Sequence, residues 1–382
     1  MDFELDETQR LIRDTARKFA RERVAPGARA RDRDEKFPAD LYREMAALGL
    51  LGVTVPVELG GSGAGTVSYS LAMMEVAKVC ASTSVGMAVT NMCGELIYRF
   101  GTDAQRQTFV PRLTSGQAVA GAFALSEPHC GSDAAALRTT AVERGDRWVL
   151  NGTKQWITSG AYAGVIVVWA RTAPAANKGI SCFIVEGGSK GLHVGRHEDK
   201  MGLRASNTVA LTFEDCEVPV DNLLGKEGDG FKLAMIALDG GRIGIGSQAC
   251  GVARAALEAA IAYAKERTAF GHPIGDFQAL RFFLANMATE ISAAELMTWR
   301  AAAKKEAGVP FSREASMAKV FCSEMSNRVC DKAVQIHGGY GYIDEFPVER
   351  YLRDARVQTI YEGTSEVQRV VIARELFKGA RP

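Results

Sequence analysis

The chain has 382 residues, 47% of them hydrophobic, which is material for two or three domains with substantial cores. Its 46 basic and 45 acidic residues balance, so nothing in the overall charge points to nucleic acid or an acidic membrane as partner. No window approaches the ~20 apolar residues of a membrane-spanning helix, and the start Met1-Asp2-Phe3-Glu4 has no apolar signal core.

The first third reads as helices. Asp6 and Gln9 are spaced as a capping box, and Ile12, Ala16 and Phe19 then fall on one face. Pro38 opens a second helix, Leu41, Met45 and Leu48 form its apolar face, and Gly49 can end it. Glycines at 60, 61, 63 and 65 mark an irregular loop, after which Ser70–Phe100 is mostly helical.

Near Phe123 the period changes from helical to alternating. Trp148–Leu150 and Thr153–Ile157 flank Asn151-Gly152, a dipeptide suited to the positive φ angles of a two-residue hairpin turn. Gly164–Ala170 and Ile180–Val185 read as buried strands, and Val165–Ala170 is the longest apolar run of the chain. Val209, Leu211 and Phe213 alternate with Thr208, Ala210 and Thr212, the mark of a half-buried strand, and the strand region ends near Leu224. His193 and His197 are four apart, but Gly191 and Gly195 argue against a helix there, and no metal site is expected. The eight cysteines form no C-x-x-C pair and read as reduced core thiols. The expected compartment is the cytoplasm, or the mitochondrial matrix if a targeting segment has been removed.

From Phe231 the helical period returns. Val252, Ala256, Ala259 and Tyr263 share a face, as do Leu280, Leu284, Met287, Ile291 and Ala294, and then Ala318, Phe321, Met325 and Val329. Gly244-Ile245-Gly246-Ser247-Gln248-Ala249 matches the dinucleotide fingerprint, but no strand precedes it. Small residues that let helices pack closely are the better reading. The fold expected is α+β and mainly α, in three units. These are an N-terminal helical domain over 1–122, a small β-barrel-like domain over 123–230 and a C-terminal four-helix bundle over 231–382.

Tyr361-Glu362-Gly363-Thr364 precedes Ser365-Glu366-Val367-Gln368, spaced as a capping box. A helix starting there presents free N–H groups and partial positive charge at its first turn. Glu362 lies just outside that end, and Gly363 permits close backbone approach. Taken alone, such a carboxylate is simply a favourable helix-end charge.

Four segments read together change this. Phe123–Asp133 (FALSEPHCGSD), Trp156–Gly160 (WITSG), Gln335–Gly341 (QIHGGYG) and Arg353–Gln368 (RDARVQTIYEGTSEVQ) resemble the acyl-CoA dehydrogenase family, in order and across essentially the whole chain. Leu238–Gln248 (LDGGRIGIGSQ) is most similar to short-chain and short branched-chain members. The resemblance implies FAD-dependent oxidation of an acyl-CoA to the trans-2-enoyl-CoA. A glutamate removes an α proton, and the β hydrogen leaves as hydride to flavin N5. Glu362 matches that base, and the alternative base position of other relatives falls on Gly241, which cannot serve. The Glu362 N–H and a flavin hydroxyl are then expected to polarise the thioester carbonyl. Burial is expected to raise the Glu362 pKa toward working pH.

By the same resemblance, Leu125, Ser126, Ser132, Trp156 and Thr158 surround the flavin ring and its ribityl chain. Arg267, Phe270 and Gln278 reach the flavin of a neighbouring subunit. Gln335, Gly338 and Gly339 form a turn near its adenosine end, and Thr364 and Glu366 complete the cofactor site. Asp239 and Arg242 hold the coenzyme A arm, Ser132 and Gly363 lie near the thioester, and Tyr361 lines the acyl pocket. His337 departs from the leucine or phenylalanine of relatives and is expected to pack or hydrogen-bond. The implied partners are an acyl-CoA with a short, branched or small cyclic or aromatic acyl group, an electron-transferring flavoprotein, and three further copies of the chain in a homotetramer. The alternatives are a related flavin oxidase using oxygen and a non-catalytic flavin-binding scaffold.

Overall fold

The computed structural model describes residues 4–378. Met1–Phe3, part of the start read as free of a signal, lie outside them. Helix α1 (Glu7–Phe19) begins with the expected capping box: Asp6 accepts from the Gln9 N–H at 2.8 Å, and Gln9 accepts from the Asp6 N–H at 3.1 Å. After α2 (Ala28–Arg33) comes α3 (Ala39–Ala47), which stops where Gly49 turns left-handed at φ 71°. Helices α4 (Gly65–Val79) and α5 (Ala81–Phe100) are buried on nearly all faces and meet at the single extended residue Cys80. Helix α6 (Asp103–Thr114) closes this region.

The middle of the chain forms one eight-stranded sheet. Its strands are β1 (Ala120–Ala124), β2 (Thr140–Arg144), β3 (Arg147–Thr158), β4 (Ala163–Arg171), β5 (Ile180–Glu186), β6 (Leu192–His197), β7 (Thr208–Pro219) and β8 (Leu223–Leu224). They run in the order β6-β7-β3-β2-β4-β5-β8, with β1 parallel to β4. β1 pairs with β4 as far as Val168, and β2 rejoins it at Arg171. The chain between them, residues 125–139, therefore leaves the sheet and returns to it. This excursion carries the first of the four family-like segments.

The hairpin expected at Asn151-Gly152 is not there. β3 runs straight through it, and the β2–β3 turn lies at Gly145-Asp146, closed by the Arg144–Arg147 pair. Gly152, at φ 145°, sits at an irregularity in the β3–β7 register. A side chain there would come within 2.7 Å of the Thr139 backbone, so close approach rather than a turn requires the glycine. Asn151 exchanges side-chain bonds with Asp215, at 3.0 Å to its carboxylate and 2.8 Å from its N–H. His193 and His197 lie on β6, with no helical spacing between them.

Helix α7 (Gly230–Glu266) has 37 residues, roughly 55 Å at the usual helical rise. It packs against α4 and α5 on one side and against α8 (Gln278–Glu306) and α9 (Ser312–His337) on the other. The glycine-rich stretch 244–249 lies inside α7, and a side chain at Gly244 would come within 2.5 Å of the Tyr69 hydroxyl. The small residues thus serve helix packing, as expected. Between α7 and α8 the chain makes a small ribbon of β9 (Thr268–Ala269) and β10 (His272–Pro273). Helices α10 (Val348–Arg356) and α11 (Ser365–Leu376) complete the fold. All eight cysteines are free and buried, and no helix among the described residues is long and apolar enough to cross a membrane.

Candidate active site

Tyr361, Glu362 and Gly363 form the short link into α11. Glu362 adopts a left-handed backbone at φ 51°, followed by Gly363 at φ 90°. A non-glycine residue held there costs about 1–3 kcal/mol and persists only where its surroundings fix it. The fixing is visible on both sides. Lys319 of α9, fully buried, donates to the Gly363 carbonyl at 2.7 Å. Gln368 of α11, also fully buried, donates to the same carbonyl at 2.9 Å and to that of Glu362 at 3.3 Å. Upstream, the Tyr361 hydroxyl donates to Gln248 of α7, whose amide in turn donates to Ala81 and Ser84 of α5.

The capping box expected at Ser365–Gln368 does not form, and the cap lies one residue earlier. Thr364 is the cap, accepting from the Val367 N–H at 3.3 Å. Gln368 is turned instead toward the Glu362–Gly363 carbonyls, where it holds the link closed. The N–H groups of Glu362 and Gly363 have no hydrogen-bond partner among the described residues. They are free donors beside the positive end of α11.

The Glu362 carboxylate is buried, and its Oε2 has no hydrogen-bond partner. Burial pushes its pKa up to about 7, against the pull of the nearby Lys319 and Arg242 cations. Burial also brings Lys319 down, to about 8. Gly241 of α7 faces this carboxylate so closely that a β-carbon there would overlap Oε2. We expect Gly241→Ala to fold normally, because the flexible end of Glu362 can move aside. With Glu362 as the expected base, turnover should nevertheless fall by about 10²-fold, since a carboxylate displaced by an ångström is misplaced for proton transfer. Parallel measurement of melting temperature and kcat/KM checks this.

The predicted residues fall into groups. Asp239 and Arg242 lie beside Gly241 on α7 and pair with each other. Arg242 also donates to Ser316 at 3.2 Å, and Ser312 donates to Asp239. Tyr361 is bound to Gln248 and packs against the core formed by α7, α8 and α9. It is not among the residues lining the cavity beside Gly241.

Trp156 and Thr158 lie on β3, and Leu125 and Ser126 are bonded beside it, while Ser132 lies further along the excursion. The excursion 125–139 is pinned to β3 by the Gln155 N–H, which donates to the Ser126 carbonyl at 2.9 Å. Beneath it lies an ion pair that sequence reasoning missed. Lys154, fully buried, donates to Glu127 at 2.7 Å and to the Leu125 carbonyl at 3.1 Å. Glu127 also accepts from the N–H groups of Arg138 at 2.7 Å and Thr139 at 2.9 Å. Burial opposes its charge, but Lys154 and those donors outweigh it and hold the carboxyl below its ordinary range. Glu127, His129 and Cys130 are close enough to share a metal ion, but the Lys154 ammonium already occupies the carboxylate. Leu125 belongs to the same core as Met92, Cys93 and Ala237, which joins this group to the wall around Gly241.

Arg267, Phe270, Gln278, Gln335, Gly338 and Gly339 lie elsewhere. Arg267 ends α7, roughly 40 Å along the helix from Gly241. It shares a concavity with Gly338 and Gly339, and its guanidinium stands 5.4 Å over the Tyr340 ring. His337 is buried there, bonded to the Ala333 carbonyl at 2.8 Å and stacked on Tyr263. Glu366 is exposed in the first turn of α11.

A flavin fits these surfaces. Trp156 is 62% exposed at φ 63°, an aromatic platform beside the hydroxyl-bearing Ser126 and Thr158. At Gly338 and Gly339 an added β-carbon would meet nothing within 4 Å, so their backbone is open to a close ligand. Lys319, Gln368 and Gln248 were missed from the sequence. One signal existed for Lys319: it interrupts the apolar stripe of Ala315, Ala318 and Cys322 on α9.

Residues 6–117, 122–216 and 228–377 match, in turn, the N-terminal, middle and C-terminal domains of acyl-CoA dehydrogenases. The chain is 49% identical over 381 residues to the mitochondrial short-chain specific acyl-CoA dehydrogenase of Mus musculus, spanning 99% of this chain and 92% of that one. It is 46% identical over 381 residues to the acryloyl-CoA reductase (NADH) of Anaerotignum propionicum, spanning 99% and 96%. A solved chain from work on the electron transferring flavoprotein of Acidaminococcus fermentans superimposes with a TM-score of 0.98 at 46% identity, covering 99% of this chain and 100% of that one.

Proposed function

Because the chain belongs to the acyl-CoA dehydrogenase family, a group of FAD-dependent oxidoreductases acting on CH–CH bonds, we propose that it desaturates a short-chain acyl-CoA with Glu362 as the base. The observation that carries this reading is the state of that side chain. Its Oε2 is buried without a hydrogen-bond partner, and burial pushes its pKa up to about 7. A structural carboxylate would be paired; a general base must keep a free lone pair and titrate near working pH.

In this reading Glu362 takes the α proton while its own N–H donates to the thioester carbonyl and stabilises the charge developing there. Lys319 and Gln368 hold both groups in register through the Gly363 and Glu362 carbonyls. Arg242 and Asp239 present a polar edge for the coenzyme A arm, and Ser132 and Gly363 lie near the thioester. Leu125, Ser126, Trp156 and Thr158 receive the flavin ring, with Thr364 and Glu366 completing its site. The FAD, when bound, accepts the β hydrogen as hydride.

The roughly 40 Å between Gly241 and Arg267 is too long for one cofactor to serve both ends of α7 within a chain. Arg267, Phe270, Gln278, Gln335, Gly338 and Gly339 then serve the flavin of a second copy, and the assembly is a homotetramer. Exposed Phe270 (92%), Tyr342 (88%) and Phe282 (58%) give that assembly apolar surface to cover. The similarity to the Acidaminococcus fermentans chain supports an electron-transferring flavoprotein as acceptor.

Anaerobic titration of the FAD-loaded protein with butyryl-CoA tests the reading. Bleaching of the oxidised flavin band is the expected result, and a flavin that no acyl-CoA bleaches would remove it. Likeness to an acryloyl-CoA reductase favours a second direction for the same site. There Glu362 would return a proton to the α carbon, and a pKa near 7 leaves both its forms populated.

Lys319 offers a separate check. Its cation is the first of the two that lower the Glu362 pKa. In Lys319→Met that pull is gone, so the carboxyl ionises at higher pH. The acid limb of the kcat/KM profile should move up by about one pH unit, whereas a variant that merely loosened the fold would lower the profile without moving the limb.

A further inference from the structure

The cavity beside Gly241 is mostly apolar, but one stretch of its wall is charged. Gly241 faces the carboxylate, but a β-carbon on its neighbour Gly240 would lie 3.1 Å from the Lys305 ammonium. Lys305 reaches in from the last turn of α8, its side chain only 10% exposed, and donates to Glu95 of α5 at 2.7 Å. Glu95 also accepts from the Thr54 hydroxyl at 3.3 Å, and its other oxygen lies 3.5 Å from Arg99, one turn further along α5. Thr54, Glu95, Arg99 and Lys305 line one side of the cavity, and Tyr69, Met92 and Gly241 line the side toward Glu362.

The cluster has more donors than acceptors. Both oxygens of Glu95 are engaged. The ammonium of Lys305 has three N–H groups and spends one on Glu95; the guanidinium of Arg99, 43% exposed, stands 5.4 Å over the Phe100 ring and reaches the same carboxylate at 3.5 Å. Two cations against one anion leave a surplus positive charge, which the nearly buried Lys305 carries into the cavity wall. A methyl-ended acyl chain lying there would cover these donors and offer them nothing, which costs free energy. A carboxylate would fill them.

We propose that this cluster is a recognition subsite for the far end of the acyl chain, and that it selects acyl-CoAs whose chain ends in a carboxylate, the monothioesters of short dicarboxylic acids. The inference rests on Glu362 being the base, because that fixes which end of the cavity receives the α carbon. Lys305 and Arg99 act here as specificity residues for the same reaction.

The test compares, on the FAD-loaded protein, acyl-CoAs of equal chain length ending in carboxylate or in methyl, and reads the ratio of their kcat/KM values. The ratio should favour the carboxylate by about tenfold or more. It should fall by a similar factor in Lys305→Met and rise in Glu95→Gln, which removes the internal competitor for the two cations. A cluster that only plugs the cavity would move the ratio the same way in both variants, or not at all, and that result overturns the proposal. Flavin reduction by methyl-ended chains alone also overturns it while leaving the dehydrogenase reading standing. Reduction by neither kind removes both.

Discussion

Glu362→Gln should fold, bind FAD and fail to be reduced by acyl-CoA, with turnover down by about 10²–10⁴-fold or below detection. The amide has the carboxylate's shape but cannot accept the α proton. Because Glu362 Oε2 has no partner in the protein, the exchange breaks no hydrogen bond at that atom. The same substitution should change stability in a pH-dependent way. A carboxyl whose pKa rises on folding, here from 4.5 to about 7, prefers its protonated form in the native state. Its favourable contribution is fully present below the unfolded pKa and is lost as pH rises through 7. Glutamine does not titrate. The variant should therefore match the parent near pH 4 and melt higher than it near pH 8. A base doing chemistry costs stability where it works, and a carboxylate with only a structural role would show the opposite trend.

Lys154→Met should lower unfolding free energy by about 3–5 kcal/mol, because it leaves the Glu127 charge buried with no counter-ion. Two of its N–H donors, from Arg138 and Thr139, remain, which places the loss toward the lower end. The damage should extend to cofactor binding. Lys154 also anchors the Leu125 carbonyl, so the excursion 125–139 keeps only the Gln155–Ser126 tie to β3 at the point proposed to receive the flavin. Adding Glu127→Gln should restore much of the stability without restoring flavin content to the same degree. Urea denaturation and the absorbance ratio of flavin to protein, measured on the same preparations, separate the two effects.

Much of the fold was legible because its signals are local. The Asp6–Gln9 cap, the α3 stop at Gly49 and the long periodic runs of α7, α8 and α9 need no knowledge of what they pack against. The errors arose where a neighbour decides. Asn151-Gly152 carries a turn signal, but the glycine answers to Thr139 across the sheet. Ser365 and Gln368 have capping-box spacing, yet Gln368 is drawn away by two carbonyls just upstream of the helix. In the site, Glu362 taken alone read as a helix-end charge; it and Gly241 stood out because the family resemblance names them. Lys319, Lys154 and Lys305 did not, since a lysine in a helix or strand looks solvent-facing until its partner is placed opposite. Those partners are 44, 27 and 210 residues away in sequence.

The burial of all eight cysteines has a practical side. With every native thiol shielded, a cysteine introduced at Phe270 or Tyr342 would be the reactive one for a maleimide dye. Its labelling rate would then report on whether that face is open or covered as the protein is diluted. A probe of assembly is thus available without first stripping the chain of its own sulfur, a step that would carve voids into the cores that hold the site together.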